Sequence, residues 1–245
     1  MSRSSGYDRH ITIFSPEGKL YQVEYAFKAV RSCGFTSVAL RGEDSVVTVT
    51  QKKVPDKLMD PSFNTHLYDI APHIGCVTTG ITPDARALVF KAREIASKFK
   101  DKNGYPIPVH YLALKVANIG QVYTQHAYMR PYGVTAMFLS YDDEKGPSLF
   151  QVDPSGHYLG YKAVAAGAKE QEAFNALEKI VKKSGSKLTG VETIQQAISC
   201  LQSVMGMDFK PSDIEVGVVS KSQPKFTRLS EADIDAQLTA IAEKD

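Results

Sequence analysis

The sequence predicts an α+β fold in which paired helices cover the outer faces of two stacked sheets, a helix–sheet–sheet–helix sandwich. Two observations carry this reading. The β-prone runs and the helical stripes come in blocks (strands, two helices, strands, two helices, strands, one helix) rather than alternating singly. No Pro-, Gly- or Ser-rich linker and no internal repeat separates the blocks, so residues 1–245 read as one domain. The composition suits such a core: 43% of residues are hydrophobic and 23% charged, ordinary values for a globular chain.

Each element has its own signal. Residues 1–6, Ser, Arg and Gly behind Met, read as a mobile tail, and Phe14-Ser15-Pro16-Glu17-Gly18 as a turn. Leu20, Val23, Phe27 and Val30 repeat at helical spacing, which predicts a helix over 20–31 stopped by Gly34. Thr36, Val38 and Leu40 share a strand face, 46–50 is strongly β-prone, and Gly42-Glu43-Asp44 turns between them. A second pair of strands covers 67–71 and 74–79. Thr82-Pro83-Asp84 carries a capping hydroxyl, an early proline and an acid. A stripe from Ala85 through Leu88, Ala92 and Ala96 to Phe99 extends that helix to about residue 100.

Asn103-Gly104-Tyr105-Pro106 breaks the stripe, and a helix follows from Pro108 with Leu112, Ala113, Val116 and Tyr123 inward. Strands are predicted at 134–141, 149–152 and 158–164. Two helices come next, one striped by Ala173, Phe174, Leu177, Ile180 and Val181, the other by Val191, Ile194, Ile198, Leu201 and Met205 behind a Thr189–Glu192 capping box. Late strands at 214–219 and 226–229 precede a helix capped by Ser230 and running through Ile234, Leu238 and Ile241.

Charge and composition exclude several classes of function. Twenty-nine basic residues against 27 acidic ones give a net charge of +2, no broad field for nucleic acid or an anionic membrane. No run approaches the ~18 apolar residues of a membrane span. Residues 1–6 lack an apolar stretch, which predicts no secretory signal. The three cysteines, Cys33, Cys76 and Cys200, are too sparse for a disulfide framework or a zinc site and suit a reducing compartment. The expectation is therefore cytoplasm and nucleus, with no cofactor and no metal.

Chemistry-bearing motifs are missing from the chain: no Gly-rich phosphate loop, no His-Glu-x-x-His, no Cys-x-x-Cys, no Gly-x-Ser-x-Gly. The six histidines are scattered. Asp142-Asp143-Glu144 reads as a solvated turn before it reads as a metal loop. The lysines at 179, 182, 183 and 187 read as a solvated helix end before a site for an acidic partner. Cys76, between Gly75 and Val77, reads as a small core residue.

One set of segments is far more specific. Tyr7-Asp8-Arg9, then Phe14-Ser15-Pro16-Glu17-Gly18-Lys19-Leu20, then Gln22-Val23-Glu24-Tyr25-Ala26 resembles the N-terminal signature of proteasome α-type subunits. Gln121-Val122-Tyr123-Thr124-Gln125, Arg130-Pro131-Tyr132-Gly133, Asp153-Pro154-Ser155-Gly156 and Ile214-Glu215-Val216-Gly217-Val218-Val219 extend the resemblance over essentially the whole chain. It is strongest to the eukaryotic subtype that takes the first position of the α ring.

The resemblance implies a four-layer α-β-β-α sandwich of the N-terminal-nucleophile hydrolase type, with the helix over 20–31 added on the outer face. It implies a place in the outer α ring of a 20S core particle, beside other α subunits and against the catalytic β ring, with a regulatory particle or other activators docking above. In the β mechanism the nucleophile is a threonine freed by cleavage after glycine, its own amine the base. Here Gly34 matches the glycine and Phe35 stands at the nucleophile, while the acidic partner falls near Gln51 and the lysine near His66. The resemblance thus implies no catalytic residue in this chain.

It also implies a gate formed by Tyr7, Asp8, Arg9, Pro16 and Tyr25, and an activator pocket containing Gly34, His66 and Gly80. An uncharged histidine in place of a lysine predicts weak docking of an activator's C-terminal carboxylate there. Two alternatives stand beside this reading: an active N-terminal-nucleophile hydrolase, and a free-standing binding protein of the same fold.

Overall fold

In a computed structural model, which describes Gly6, residues 10–184 and residues 187–244, two five-stranded antiparallel sheets pack face to face. The strands are β1 (Thr36–Arg41), β2 (Ser45–Gln51), β3 (Leu67–Ala71), β4 (Ile74–Gly80), β5 (Val134–Asp142), β6 (Gly146–Val152), β7 (Tyr158–Gly160), β8 (Ala163–Gly167), β9 (Ile214–Ser220) and β10 (Thr227–Arg228). One sheet has the order β10-β9-β2-β1-β8, the other β3-β4-β5-β6-β7.

Among the described residues six α-helices surround the sheets: α1 (Tyr21–Arg31), α2 (Thr82–Asn103), α3 (Val109–Gln125), α4 (Glu170–Ser184), α5 (Gly190–Met205) and α6 (Glu231–Ala242). The α+β sandwich expected from the block pattern is the architecture observed.

The central strands are apolar on both sides because both sides are covered. On β1 and β2, Val38, Leu40, Val47 and Val49 face α4 and α5, meeting Ala173, Leu177, Ile198 and Leu201. Their alternates Ala39 and Val46 face the other sheet and meet Val77, Met137, Leu139 and Leu149. On the second sheet Ile74, Cys76, Ala136 and Phe138 turn outward onto Leu88, Ala92, Leu112 and Val116 of α2 and α3. Period-2 alternation thus distributes side chains between an outer and a middle layer of core.

Local signals set most boundaries. Thr189 N donates to Glu192 Oε2 at 2.9 Å at the start of α5, and Asp233 N donates to Ser230 Oγ at 3.2 Å at the start of α6, as the capping patterns predict. Gly104, at φ 79°, ends α2.

Four expectations are corrected. Thr82 is not the cap of α2: it is already helical, and Ile81 holds the cap position with no side-chain bond. The single strand expected over 158–164 is two strands in different sheets. Phe174 and Val191, assigned to apolar stripes, are exposed.

α1 buries Val23, Ala26 and Val30 against the ends of β4, β5 and β8. It closes one end of the sandwich, where the strands open into a cleft.

Candidate functional site

The cleft at that end is built from four chain segments: the approach to β1, the end of β2 with the loop behind it, the start of β3, and the junction of β4 with α2. Gly34 takes a left-handed turn (φ 81°) and delivers Phe35 to the mouth of β1. The Phe35 ring stacks on the His66 imidazole, with centroids 4.0 Å apart and planes 18° from parallel. Both residues are buried. The His66 backbone is fixed from behind: its amide N–H donates to Glu215 Oε2 at 2.9 Å, and its carbonyl accepts Thr78 N at 3.0 Å. Burial pushes the imidazole pKa down to about 4, so the ring is neutral at pH 7.

The β1–β2 end is closed by a neutral amide. Thr36 N donates to Gln51 Oε1 at 3.0 Å, and Lys169 N donates to Thr36 Oγ1 at 3.1 Å. A buried hydroxyl chain runs alongside, with Thr79 Oγ1 donating to Ser37 Oγ at 2.9 Å and Ser37 Oγ 2.7 Å from Thr50 Oγ1. No imidazole, ammonium or carboxylate among the described residues joins that chain. Catalysis by a hydroxyl needs a base within hydrogen-bond reach. Here the hydroxyls bond only to one another, and the position at the mouth holds a phenyl ring.

At Gly80 and Gly167 close backbone contact as well as φ requires glycine. At Gly80 (φ 137°) a Cβ would lie 2.1 Å from the Gly133 carbonyl oxygen; at Gly167 (φ 114°) it would lie 2.2 Å from the Phe35 carbonyl oxygen. Close backbone approach, rather than ligand access, is what each provides. A Cβ at Gly34 would meet nothing within 4 Å, so that glycine is required by its φ alone.

The structure places Gly34, His66 and Gly80 at the same end of the sandwich. It also shows participants that sequence reasoning missed. Lys53 reaches back so that its ammonium donates to the Gly34 carbonyl, an exposed cation at the mouth of the same cleft. Asp84 receives Arg130 in a two-pronged contact (Nη1–Oδ2 2.6 Å, Nη2–Oδ1 2.8 Å), and Gly133 N donates to Asp84 Oδ2 at 2.9 Å. Arg130 and the Gly133 amide hold the Asp84 carboxyl below its ordinary pKa. This clamp ties the start of α2 to the start of β5. The only signal for it in the sequence was an acid at a helix start and an Arg-Pro-Tyr-Gly segment 46 residues later, with nothing to pair them.

Of the predicted gate residues, Pro16 lies in a turn closed by Gly18 N to Ser15 O at 2.8 Å and Ser15 N to Lys19 O at 2.9 Å. Tyr25 is half-exposed on α1, its ring 6.4 Å from that of Tyr21. Tyr7, Asp8 and Arg9 lie outside the described residues. The Asp142 loop is a turn in which Asp142 Oδ1 accepts Glu144 N and Lys145 N, each at 2.9 Å.

Comparison with known proteins decides the family. Residues 32–219 match the family described as "Proteasome subunit". The chain belongs to the proteasome subunit family. Residues 7–29 of this proteasome subunit match a second family pattern, the N-terminal signature of the A class of proteasome subunits, which makes it α-type. It is 51% identical over 245 residues to "Probable proteasome subunit alpha type-1" of Schizosaccharomyces pombe, covering all of both chains. It is 47% identical over 247 residues to "Proteasome subunit alpha type-6" of Caenorhabditis elegans, again covering all of both. With "Proteasome subunit alpha" of Saccharolobus solfataricus the identity is 37%, over 96% of this chain and 97% of the relative.

Proposed function

We propose that this α-type subunit is itself catalytically inert and works as a building block and gate of the outer ring of a 20S core particle, in the first ring position, in the cytoplasm and nucleus. The stacked pair of Phe35 and His66 is the observation that carries inertness. The mouth of β1 holds a ring with no nucleophilic atom, the neighbouring ring is neutral, and the second partner position holds the Gln51 amide. Removing one member of a catalytic unit already costs orders of magnitude in rate, and here all three matched positions differ from the catalytic type.

Assembly with other α and β subunits is supported by exposed apolar side chains in runs rather than singly. Ile13 and Phe14 stand out before α1; Leu58 is 93% and Phe63 79% exposed in the long loop after β2; Tyr128 is 73% exposed after α3. Such clustering marks surfaces that meet protein partners. The tail ahead of the Pro16 turn supplies the gate, with Tyr25 half-exposed on α1.

For activators, the cleft offers Lys53 at its mouth and a neutral His66 within. A terminal carboxylate would meet Lys53 first, and docking at this pocket is weak because the inner position lacks a charge.

The test is labelling of the assembled particle with an electrophile that traps N-terminal threonine nucleophiles. The expected result is label on other chains and none on this one. Stoichiometric label on this chain, at any internal Thr, Ser or Cys exposed as a new N-terminus, would overturn inertness.

A further inference from the structure

We propose that a cavity at the far end of α2, about 20 Å along the helix from the cleft, is a binding site for a small amphipathic carboxylate. The cavity is about 540 Å³, within the range of small-molecule sites. It is assembled from four separate stretches: the β3–β4 turn, the second half of α2, the α2–α3 connection and the β9–β10 turn. It therefore joins the edges of both sheets. The β9–β10 turn is fixed in place: Phe226 N donates to the Pro72 carbonyl at 3.1 Å. The Phe226 ring fills the space over Gly75, where a Cβ would lie 2.0 Å from Phe226 Cδ2.

The walls are apolar and the mouth is cationic. Ile70, Pro72, Ala96, Pro106 and Ile107 supply carbon surface, and Arg93, Lys100 and Lys225 stand at the rim. No aspartate or glutamate lines the cavity among the described residues. Lys100 and Lys225 have no ion-pair partner among the described residues. Arg93 Nε is engaged only with the Asp69 carbonyl, at 2.8 Å. Two acids near the lining residues in sequence are already paired, Asp69 with Arg228 at 2.8 Å and Glu94 with Lys91 and Lys98. His73 faces inward but is occupied, its Nε2 2.8 Å from the Ile107 carbonyl oxygen.

A ligand that suits this arrangement has an apolar body for the walls and one negative charge for the three cations. A neutral lipid would gain nothing from the rim cations, and a polyanion would find no polar wall. The site stands independently of the cleft and of the place in a ring.

The probe is a decanoic acid bearing a diazirine on its chain, photo-crosslinked to the chain within its assembled particle and mapped by peptide mass spectrometry. The expected result is labelling at the cavity walls that unmodified decanoate competes away and decanol does not. Reversing the exposed pair, Lys100→Glu with Lys225→Glu, is expected to lower that labelling about tenfold, the size expected of two screened charges changing sign. Ser97→Trp, an exposed position, keeps the charges and is expected to block the mouth and abolish labelling. The proposal is overturned by labelling confined to other sites, by decanol competing as well as decanoate, or by labelling that survives both variants.

Discussion

Replacing Asp84 tests whether the clamp at the cleft works through its charge or through its shape. The Asp84 side chain is 9% exposed and Arg130 is 59% exposed. The ion pair is therefore half in water, and removing Arg130 should cost about 1 kcal/mol, the upper end for an exposed pair. The Gly133 amide is different. It is buried, and its acceptor is a carboxylate at 2.9 Å. Leaving such a donor unsatisfied costs about 1–3 kcal/mol on its own. Asp84→Ala should then cost about 2–3 kcal/mol, whereas Asp84→Asn, which keeps an oxygen toward Gly133, and Arg130→Ala should each cost about 1 kcal/mol. Urea denaturation of the full-length chain reads this directly. With a slope near 3 kcal/mol per molar, Asp84→Ala should lower the midpoint by about 0.7–1 M and the other two by about 0.3 M. The sign with pH follows from the lowered carboxyl pKa. The stabilisation is complete above the unfolded value of about 3.9 and is lost as pH falls through the folded value, so wild type and Asp84→Asn should converge only in strong acid. If Arg130→Ala proves as damaging as Asp84→Ala, the reasoning fails, because the pair and not the backbone acceptor would then carry the clamp.

Three further outcomes follow from the same geometry. The His66 pKa is lowered from 6.5 to about 4, so the unfolded state binds the extra proton between those values. Stability should fall as pH drops from 6.5 toward 4, by up to about 1.4 kcal/mol per pH unit, and His66→Phe should flatten that slope; an unchanged slope would show that other groups cause it. Gly80→Ala places a Cβ 2.1 Å from Gly133 O and should cost about 3 kcal/mol, while Gly104→Ala, with open space around its Cβ, should cost only the left-handed penalty of about 1–2 kcal/mol; equal thermal shifts for the two would contradict the close-approach argument. Deleting residues 2–8 should raise peptide hydrolysis by the assembled particle, and an unchanged rate would count against a major gating role for this tail.

Much of the fold was legible because its signals are local. The Thr189–Glu192 and Ser230–Asp233 boxes fix two helix starts within four residues, and the alternation through 36–50 gives a hairpin whose register is set by its short turn. The strand expected over 158–164 shows where local pattern stops. Tyr161 N still bonds the Leu149 carbonyl in one sheet at 2.9 Å, while the next carbonyl, Lys162, already accepts Arg41 N from the other at 2.8 Å. A period of two is the same on both sides of that switch, so the sequence carries no mark of it.

The cleft followed the same division. Gly34, His66 and Gly80 came from resemblance, and the structure gathers them. The stacking of Phe35 on His66, the reach of Lys53 to Gly34 and the Asp84–Arg130 clamp depend on contacts between segments 19 to 46 residues apart, which residue types alone do not pair. The departures at Phe35, Gln51 and His66 were readable even so, since residue type alone shows them.

The central claim is that this chain is an inert member of a ring. The most direct measurement is the native mass and composition of the assembly recovered with a tagged copy from its own cells. The account predicts a particle many times the 26.9 kDa of the chain, holding other α-type and β-type chains and hydrolysing peptides, with this chain present in unprocessed form. A lone monomer or a simple homodimer would contradict it.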